Sequence, residues 1–307
     1  MRTMSVNNAP TPAVGGVFQA EEARPSQSLW AMTWRRLRKN KLAFASLWII
    51  VFMYLLAIFG PMLAPYDKAE MDWVNVLAPP SAVHWFGTDD LGRDIFTRVL
   101  YGARVSLSVG LVVVGIQLTI GILLGALAGY YGGWVDVVIS RFIDIMLAMP
   151  VLMIAIIIAA LFGPSLYKTM IVLGVTGWMG TARIVRGQFL SLKEREFIEG
   201  AKAFGARDFR IIFRHMLPNT MAPIIVIATL GIAGAILTES VLSFLGLGTQ
   251  EPNASWGGIL TSAQTITVLT RAQWFAFFPG LFIFITTLAI NFLGDGLRDA
   301  LDPRLKE

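Results

Sequence analysis

The chain has 307 residues, of which 55% are hydrophobic and only 15% are charged, with a formal net charge of +5 and a mean hydropathy of +0.65. Soluble domains carry about 25% charged residues, so this chain has too few polar side chains to cover a water-facing surface of its size. The composition excludes an ordinary soluble protein, the short basic patches between apolar runs argue against nucleic-acid binding, and the lack of cysteine excludes disulfides and thiolate metal sites.

Residues 1–41 are predicted to form a cytoplasmic N-terminal tail. The range Met1–Leu29 contains three prolines and lacks the continuous apolar core of a signal peptide. A spanning helix needs about 20 mostly apolar residues. Six stretches approach or exceed that length, which predicts an all-α integral membrane protein with six transmembrane helices. They cover residues 42–64, 105–128, 137–162, 169–184, 221–245 and 275–292, and the fourth is diluted by threonine and glycine.

Three glycines recur at four-residue spacing in the second predicted span: Gly121, Gly125 and Gly129. They place bare backbone on one face of the helix, where a second helix can approach closely. The pattern predicts helix packing and does not by itself indicate a substrate path.

The distribution of lysine and arginine predicts the orientation, because cytoplasmic loops are enriched in both. Residues 35–41 carry five basic side chains and no acid, whereas residues 65–100 carry six acids and three bases. The tail is therefore predicted to be cytoplasmic and segment 65–104 periplasmic. Residues 105–297 form a core of five spans that contains a basic cytoplasmic loop at 187–218. Residues 298–307 form a cytoplasmic C-terminal tail.

The loop 187–218 has the pattern of a helical elbow. Its first helix is predicted from one apolar stripe, formed by Phe197, Ile198, Ala201 and Phe204. Gly205 follows the stripe, where a left-handed C-terminal stop favours glycine. Asp208 is expected to cap a second short helix before the chain re-enters the membrane. Such an elbow offers a small amphipathic surface on which a soluble partner could act.

The same loop resembles the signature of ABC-importer permeases, Glu-Ala-Ala, three residues, Gly, nine residues, Ile, one residue, Leu-Pro. Five residues match at the required spacing: Glu199, Ala201, Gly205, Leu217 and Pro218. Two depart from it, since Gly200 replaces the middle alanine and His215 replaces the isoleucine.

The resemblance covers the chain from about residue 29 to residue 305. The segments HWFGTDDLGRD at 84–94, FLGLGTQEP at 244–252 and NFLGDGLRDALDPRL at 291–305 resemble C-type subunits of oligopeptide and dipeptide importers. Two phrases, ARIVRGQFLSLKEREFIE and FLGLGTQEP, look nearer to the oligopeptide members. Importers of the same family for nickel or another small peptide-like solute remain an alternative.

This resemblance implies a type I ABC importer transmembrane domain with a cytoplasmic coupling helix, located in the bacterial inner membrane. The chain would be a permease subunit without an ATPase site and without a cofactor of its own. Its implied partners are a B-type permease subunit, two ATPase subunits that bind ATP and Mg, a periplasmic or lipid-anchored peptide-binding protein, and the peptide itself. The coupling residues implied are Glu199, Gly200, Ala201, Phe204, Gly205, Leu217 and Pro218.

Charged residues in or near the spans are further candidates, because burying them is costly. Glu239 could line the pathway or pair with another helix. Asp89 and Arg93, just outside the second span, could contact the partner subunit or the binding protein. Arg141 and Asp144 are predicted to pair within one helix. No metal site is predicted, since neither histidine has a ligand partner nearby in sequence.

Two other classes of function compete with the importer subunit. A secondary ion-coupled transporter could use Glu239 or Asp144 as its ion site, although the sequence lacks an inverted repeat or a pair of broken helices of the usual kind. A membrane enzyme or assembly scaffold is disfavoured, because the phosphate-binding motif G-x-x-x-x-G-K-[ST] and hydrolase motifs are missing from the sequence.

Overall fold

The computed structural model describes residues 29–301, so the predicted tail segments 1–28 and 302–307 lie outside the described residues. Between residues 29 and 301 the regular structure is helical, apart from one isolated bridge between Thr88 and Asp94. The first seven helices are α1 Leu29–Lys39, α2 Lys41–Leu63, α3 Ile95–Tyr131, α4 Gly133–Leu147, α5 Val151–Phe162, α6 Leu166–Thr176 and α7 Met179–Lys193. The remaining ones are α8 Glu196–Ala203, α9 Asp208–Arg210, α10 Met221–Phe244, α11 Trp256–Ala263, α12 Ile266–Arg271 and α13 Trp274–Leu301.

Four long apolar segments form the body of the described chain. Lys41–Leu63, Ile95–Tyr131, Asp208–Phe244 and Trp274–Leu301 are the helices between residues 29 and 301 that are long and apolar enough to span a bilayer. They pack in a closed order, with α2 against α3, α3 against α10, α10 against α13 and α13 against α2. Large side chains on the outside of α2, such as Trp48 and Phe52, are exposed and suit contact with lipid.

The third predicted span is bent. Helices α4 and α5 together pass the length and hydropathy test for a span, but their axes differ by 73°. Pro150 lies at the break, immediately before α5. Proline lacks a backbone N–H and disfavours a helical conformation in the residue before it, so α4 ends and α5 starts in a new direction.

The fourth predicted span is broken into α6 and α7, and neither piece reaches the usual spanning length. The break falls at Gly177, where a β-carbon would lie 2.1 Å from Nε2 of Gln117. By length and composition, residues 29–301 thus contain four spans, or five if the bent pair counts as one. The predicted number of six is reached only by counting the broken pair as well.

Helical structure extends beyond the predicted spans at two places. The second span begins ten residues before the predicted residue 105, at Ile95, because the Asp94 carboxylate accepts a hydrogen bond from the Thr97 backbone N–H at 2.7 Å and caps the helix there. Helix α1 lies in the predicted tail, and its Thr33 and Leu37, one helical turn apart, are buried.

The predicted packing role of the three glycines is confirmed. Helix α3 packs against α7 along Gly121, Gly125 and Gly129. A β-carbon on Gly125 would lie 2.5 Å from the carbonyl oxygen of Ala182, and one on Gly129 would lie 2.5 Å from Cβ of Phe189. The two backbones therefore approach too closely for any side chain, and the two helices pack tightly together over about two turns of α3.

Candidate functional site

Helix α8 ends at the predicted glycine. Gly205 has a φ of +77°, in the left-handed region that glycine favours. The Gly205 N–H donates to the Lys202 carbonyl at 2.9 Å, and the Ala206 N–H donates to the Ala201 carbonyl at 3.0 Å. These two bonds form a Schellman motif, which fixes the angle at which the chain leaves α8.

The apolar stripe of α8 is only partly buried. Ile198 is fully buried and packs with Phe189 of α7 and Ile211. By contrast, 47% of Phe197 and 94% of Phe204 are exposed. Glu199 is exposed as well. One side of α8 is thus anchored to the bundle, and its other side presents apolar and acidic groups outward.

The second part of the elbow differs from the prediction. Asp208 lies in the first turn of α9 and makes no capping bond; the helix is preceded by Arg207 in an extended conformation. The Asp208 carboxylate instead accepts a hydrogen bond from the hydroxyl of Tyr130 in α3 at 2.7 Å. The predicted short helix is also continuous with the fifth span, because α9 runs through a π-helical turn at Ile211–Met216 and a 3-10 turn at Leu217–Thr220 into α10.

The remaining predicted coupling residues lie on either side of the Gly205 turn. Gly200 has open space around the position that a β-carbon would occupy. Leu217 is partly buried against the cluster that contains Ile198. Pro218 occupies the first turn of the 3-10 segment, where its missing N–H is tolerated.

A concave surface lies between α3, α5, α6 and α10. Its volume is about 530 Å³ and its lining is mostly apolar. Two polar side chains reach it, Gln117 from α3 and Thr238 from α10. Gln117 also donates to the Leu173 carbonyl at 3.1 Å. The sequence patterns did not single out either residue, although a lone amide within an apolar stretch is a usable signal.

Asp89 and Arg93 are buried in an ionic network at the start of α3, at the end of the bundle opposite to α8. The Arg93 Nε donates to Asp89 Oδ2 at 2.7 Å, and its Nη1 donates to Glu251 Oε2 at 2.7 Å. Arg98, also buried, donates to Glu251 Oε1 at 2.8 Å. The network ties segment 65–94 to the loop between α10 and α11. Sequence reasoning missed Arg98 and Glu251, because more than 150 residues separate them.

The pKa of the Glu251 carboxyl is lowered. Partial burial alone would raise it, but hydrogen bonds from Arg98 and Arg93 and their positive charges outweigh that effect. The ionised form of Glu251 therefore stabilises the folded chain above the ordinary glutamate pKa. This contribution is expected to be lost as the pH falls through the lowered pKa.

Thermal unfolding at a series of acidic pH values tests this assignment. The Tm of the native chain should fall more steeply with decreasing pH than the Tm of Glu251→Gln, because the variant lacks the carboxylate that becomes protonated. Equal slopes of Tm against pH would contradict the assignment.

Glu239 is fully buried in α10. Ser243 Oγ donates to Glu239 Oε1 at 2.6 Å, and Ser243 lies within 3.4 Å of Ser255 Oγ. Among the residues described here, Glu239 is not part of the lining of the 530 Å³ cavity. This position does not favour a role in lining the pathway; Glu239 Oε2 is buried without a hydrogen-bond partner among the described residues, and it is Ser243 that connects α10 to the loop before α11.

The predicted pair of Arg141 and Asp144 is the weaker of two contacts made by Asp144. The two side chains are 3.9 Å apart within α4. Arg183 of α7 approaches the same carboxylate at 2.7 Å. Arg186 binds Asp136 with two nitrogens, one of them at 2.7 Å. Ion pairs between α4 and α7 thus replace the expected pair within one helix as the main contact.

Comparison with known proteins identifies a family and several relatives that this chain matches. Residues 121–307 match the family described as binding-protein-dependent transport system inner membrane component, and residues 28–80 match the N-terminal transmembrane domain of oligopeptide transport permease C. The dipeptide transport system permease protein DppC of Bacillus subtilis is 49% identical over 92% of this chain and 88% of the relative. The oligopeptide transport system permease protein OppC of the same organism is 43% identical over 96% of this chain and 97% of the relative.

The glutathione transport system permease protein GsiD of Pectobacterium atrosepticum is 42% identical over 90% of this chain and 92% of that protein. Identity is higher with the dipeptide relative than with the oligopeptide relative, opposite to the order expected from the sequence phrases.

A solved structure, the inward-facing MetNI methionine ABC transporter, aligns with a TM-score of 0.53 and 18% identity, covering 67% of this chain and 96% of the matched chain. The similarity extends to the fold, a type I importer transmembrane domain. With family and fold in agreement over most of its length, the chain belongs to the family of binding-protein-dependent transport system inner membrane components.

Proposed function

We propose that this chain is the C-type permease subunit of an ATP-driven importer that carries peptides across the bacterial inner membrane. Relatives named for dipeptides, oligopeptides and glutathione support a peptide substrate, since all three share the peptide bond. The range of names favours a small peptide without selecting its length.

The observation that carries this proposal is the outward face of α8. A phenylalanine that is 94% exposed, on a helix fixed by a Schellman motif, is costly in water and suits a partner's groove. The groove belongs to an ATPase subunit that binds ATP and Mg. Glu199, also exposed on α8, supplies a charged contact at the rim of the groove. Gly205 sets the angle of the elbow, and Gly200 lets the partner's backbone approach.

The complete transporter contains this chain, a B-type permease subunit, two ATPase subunits and an external peptide-binding protein. The positive-inside rule supports a cytoplasmic location for the end that carries α8 and for both termini. The ionic network of Asp89, Arg93 and Glu251 then lies at the periplasmic end of the chain. It stabilises the surface that contacts the binding protein or the B-type subunit.

The cavity between α3, α5, α6 and α10 is the part of the peptide pathway that this chain contributes. Its volume of about 530 Å³ falls in the range of small-ligand sites, about 300–1,000 Å³. Gln117 and Thr238 offer hydrogen bonds to a peptide backbone, and the apolar walls accept varied side chains. The ion-coupled alternative is not favoured, because the matching family and the curated relatives are binding-protein-dependent transport permeases.

Replacing Phe204 with aspartate tests the ATPase contact. The charge cannot enter an apolar groove without a partner, so the ATPase subunits should dissociate at least about tenfold more readily, a change of roughly 1.4 kcal/mol. The measurement is the amount of ATPase that copurifies with the tagged permease complex, together with ATP-dependent uptake of a labelled dipeptide in proteoliposomes.

The matched control is Trp73→Asp, which introduces the same charge at an aromatic residue that is 69% exposed at the opposite end of the bundle. It should keep the ATPase subunits. Loss of ATPase from Trp73→Asp and retention by Phe204→Asp would reverse the proposed orientation. Peptide uptake by the wild-type complex without ATP would overturn the importer function itself.

A further inference from the structure

One side chain of α3 contacts both sides of the coupling elbow. Tyr130 lies in the last turn of α3 and is 6% exposed. Its hydroxyl donates to the Asp208 carboxylate at 2.7 Å, just after the Gly205 turn. The Lys202 Nζ of α8, just before that turn, lies 5.8 Å from the centroid of the Tyr130 ring. The hydroxyl and the ring face of Tyr130 thus contact the chain on both sides of the Gly205 turn.

Both contacts involve a charged partner, Asp208 or Lys202, on the solvent-exposed side of the elbow, and a charged partner makes each contact stronger than its neutral equivalent. A hydroxyl that donates to a carboxylate forms a charge-assisted hydrogen bond, and an ammonium over an aromatic ring is attracted by the ring's negative face. The ring body of Tyr130 also packs with Phe189 and Ile198 in one buried cluster. Packing around the ring and the hydrogen bond of the hydroxyl therefore both hold the Tyr130 side chain in place.

Helix α3 connects this position to the cavity without interruption. It is a single helix from Ile95 to Tyr131. Gln117, which lines the cavity, lies on the same helix as Tyr130. At 1.5 Å per residue, Gln117 and Tyr130 are separated by about 20 Å along the axis. The glycine contacts with α7 stiffen the intervening part, since Gly121, Gly125 and Gly129 leave no space between the two backbones.

We propose that Tyr130 is a positioning residue that ties the coupling elbow to α3, so that movement of α8 reaches the cavity through α3. The chain itself offers one route for such movement, since α8 is connected directly to α7 and, through α9, to α10. Tyr130 adds a lateral connection that neither the loop signature nor the glycine pattern contains. The inference rests on the proposed function, because it assumes that an ATPase moves α8.

The test removes one oxygen. Tyr130→Phe keeps the ring and its packing but deletes the bond to Asp208. The readouts are peptide uptake per ATP hydrolysed by the complete complex in proteoliposomes, and the thermal stability of the same complex. Uptake per ATP should fall by about tenfold, the factor expected when a hydrogen bond to a charged group is lost from the coupled movement, whereas ATP hydrolysis continues.

Tyr131→Phe is the matched control, because the neighbouring tyrosine is 49% exposed. It should transport as the wild type does. At the other end of the bond, Asp208→Asn keeps an acceptor oxygen and should retain much of the coupling, while Asp208→Ala should resemble Tyr130→Phe. If Tyr130→Phe lowers thermal stability but leaves uptake per ATP unchanged, its role is structural and the inference is overturned.

A distance measurement tests the same idea without transport, and the absence of native cysteine makes it direct. Spin labels on Tyr131→Cys and Arg207→Cys report the separation of α3 from the elbow. The distance should stay constant between nucleotide-free and ATP-bound complexes, and should vary once Tyr130→Phe is added. A distance that changes equally with and without Tyr130→Phe would contradict the connection. Failure of the wild-type complex to couple ATP to peptide uptake would instead refute the proposed function.

Discussion

Leucine at position 125 is expected to prevent α3 from packing against α7. The first atom of the new side chain would lie 2.5 Å from the Ala182 carbonyl oxygen and 2.9 Å from Cβ of Val185. A backbone carbonyl in a helix cannot rotate away, so the two helices must separate. Overpacking costs about 1–3 kcal/mol even where neighbours can yield. The apparent Tm of Gly125→Leu should therefore fall by roughly 10 °C, with less folded protein in the membrane.

The control for this substitution lies on the same helix. A β-carbon on Gly115 would meet open space, with no described atom within 4 Å. Gly115→Leu therefore adds the same side chain to α3 without a clash and should leave the apparent Tm within about 2 °C. Thermal unfolding followed by fluorescence or by aggregation compares the two variants. An equal decrease in the apparent Tm of both variants would mean that the bulk of the added side chain, and not a clash with α7, destabilises the protein.

Replacing Arg93 with methionine is expected to destabilise the opposite end of the bundle. Asp89 is fully buried and Arg93 is 4% exposed in its side chain, so the substitution leaves a buried carboxylate without its main counterion. Removing one partner of a buried pair costs about 3–5 kcal/mol. Backbone N–H groups of Leu91 and Arg93 still bind Asp89, so we expect a loss of about 3 kcal/mol, at the lower end of that range.

A double variant separates the missing charge from the missing packing. Asp89→Asn together with Arg93→Met removes both charges, and should recover more than half of the loss if the cause is the buried Asp89 charge left with only the more distant Arg98 at 3.6 Å. Lys68→Met is the surface control, because Lys68 contacts Asn253 at a solvent-exposed position, and it should cost less than about 1 kcal/mol. A double variant as unstable as Arg93→Met would exclude the electrostatic explanation. Thermal unfolding of the purified complex measures all three.

Several features of the fold were predictable because they depend on local pattern. The first span, predicted at 42–64, is Lys41–Leu63, and the fifth, predicted at 221–245, is Met221–Phe244. Both are continuous apolar runs, and hydropathy detects these directly. The stop at Gly205 was also predictable, because a left-handed backbone position has a strong preference for one residue type.

The predictions failed where the hydropathy of a segment was not enough to decide its structure. The span predicted at 137–162 has enough apolar residues but bends at Pro150, and the span predicted at 169–184, which is diluted by threonine and glycine, breaks at Gly177. Asp208 has the residue type and position of a helix cap, yet its carboxylate binds Tyr130. In each case a local preference loses to a contact or a steric limit that hydropathy does not register.

The sequence by itself determined that this protein is a helical membrane protein, and its loop signature pointed to an importer permease, because composition, apolar length and residue spacing are properties of the linear chain. Only the tertiary structure decided how its charges pair and which helices the elbow contacts. Glu251 meets Arg98 across 153 positions, and Tyr130 meets Asp208 across 78. Such pairings follow from packing, since a buried polar side chain such as that of Arg98 or Tyr130 takes whichever partner the fold brings within hydrogen-bond distance.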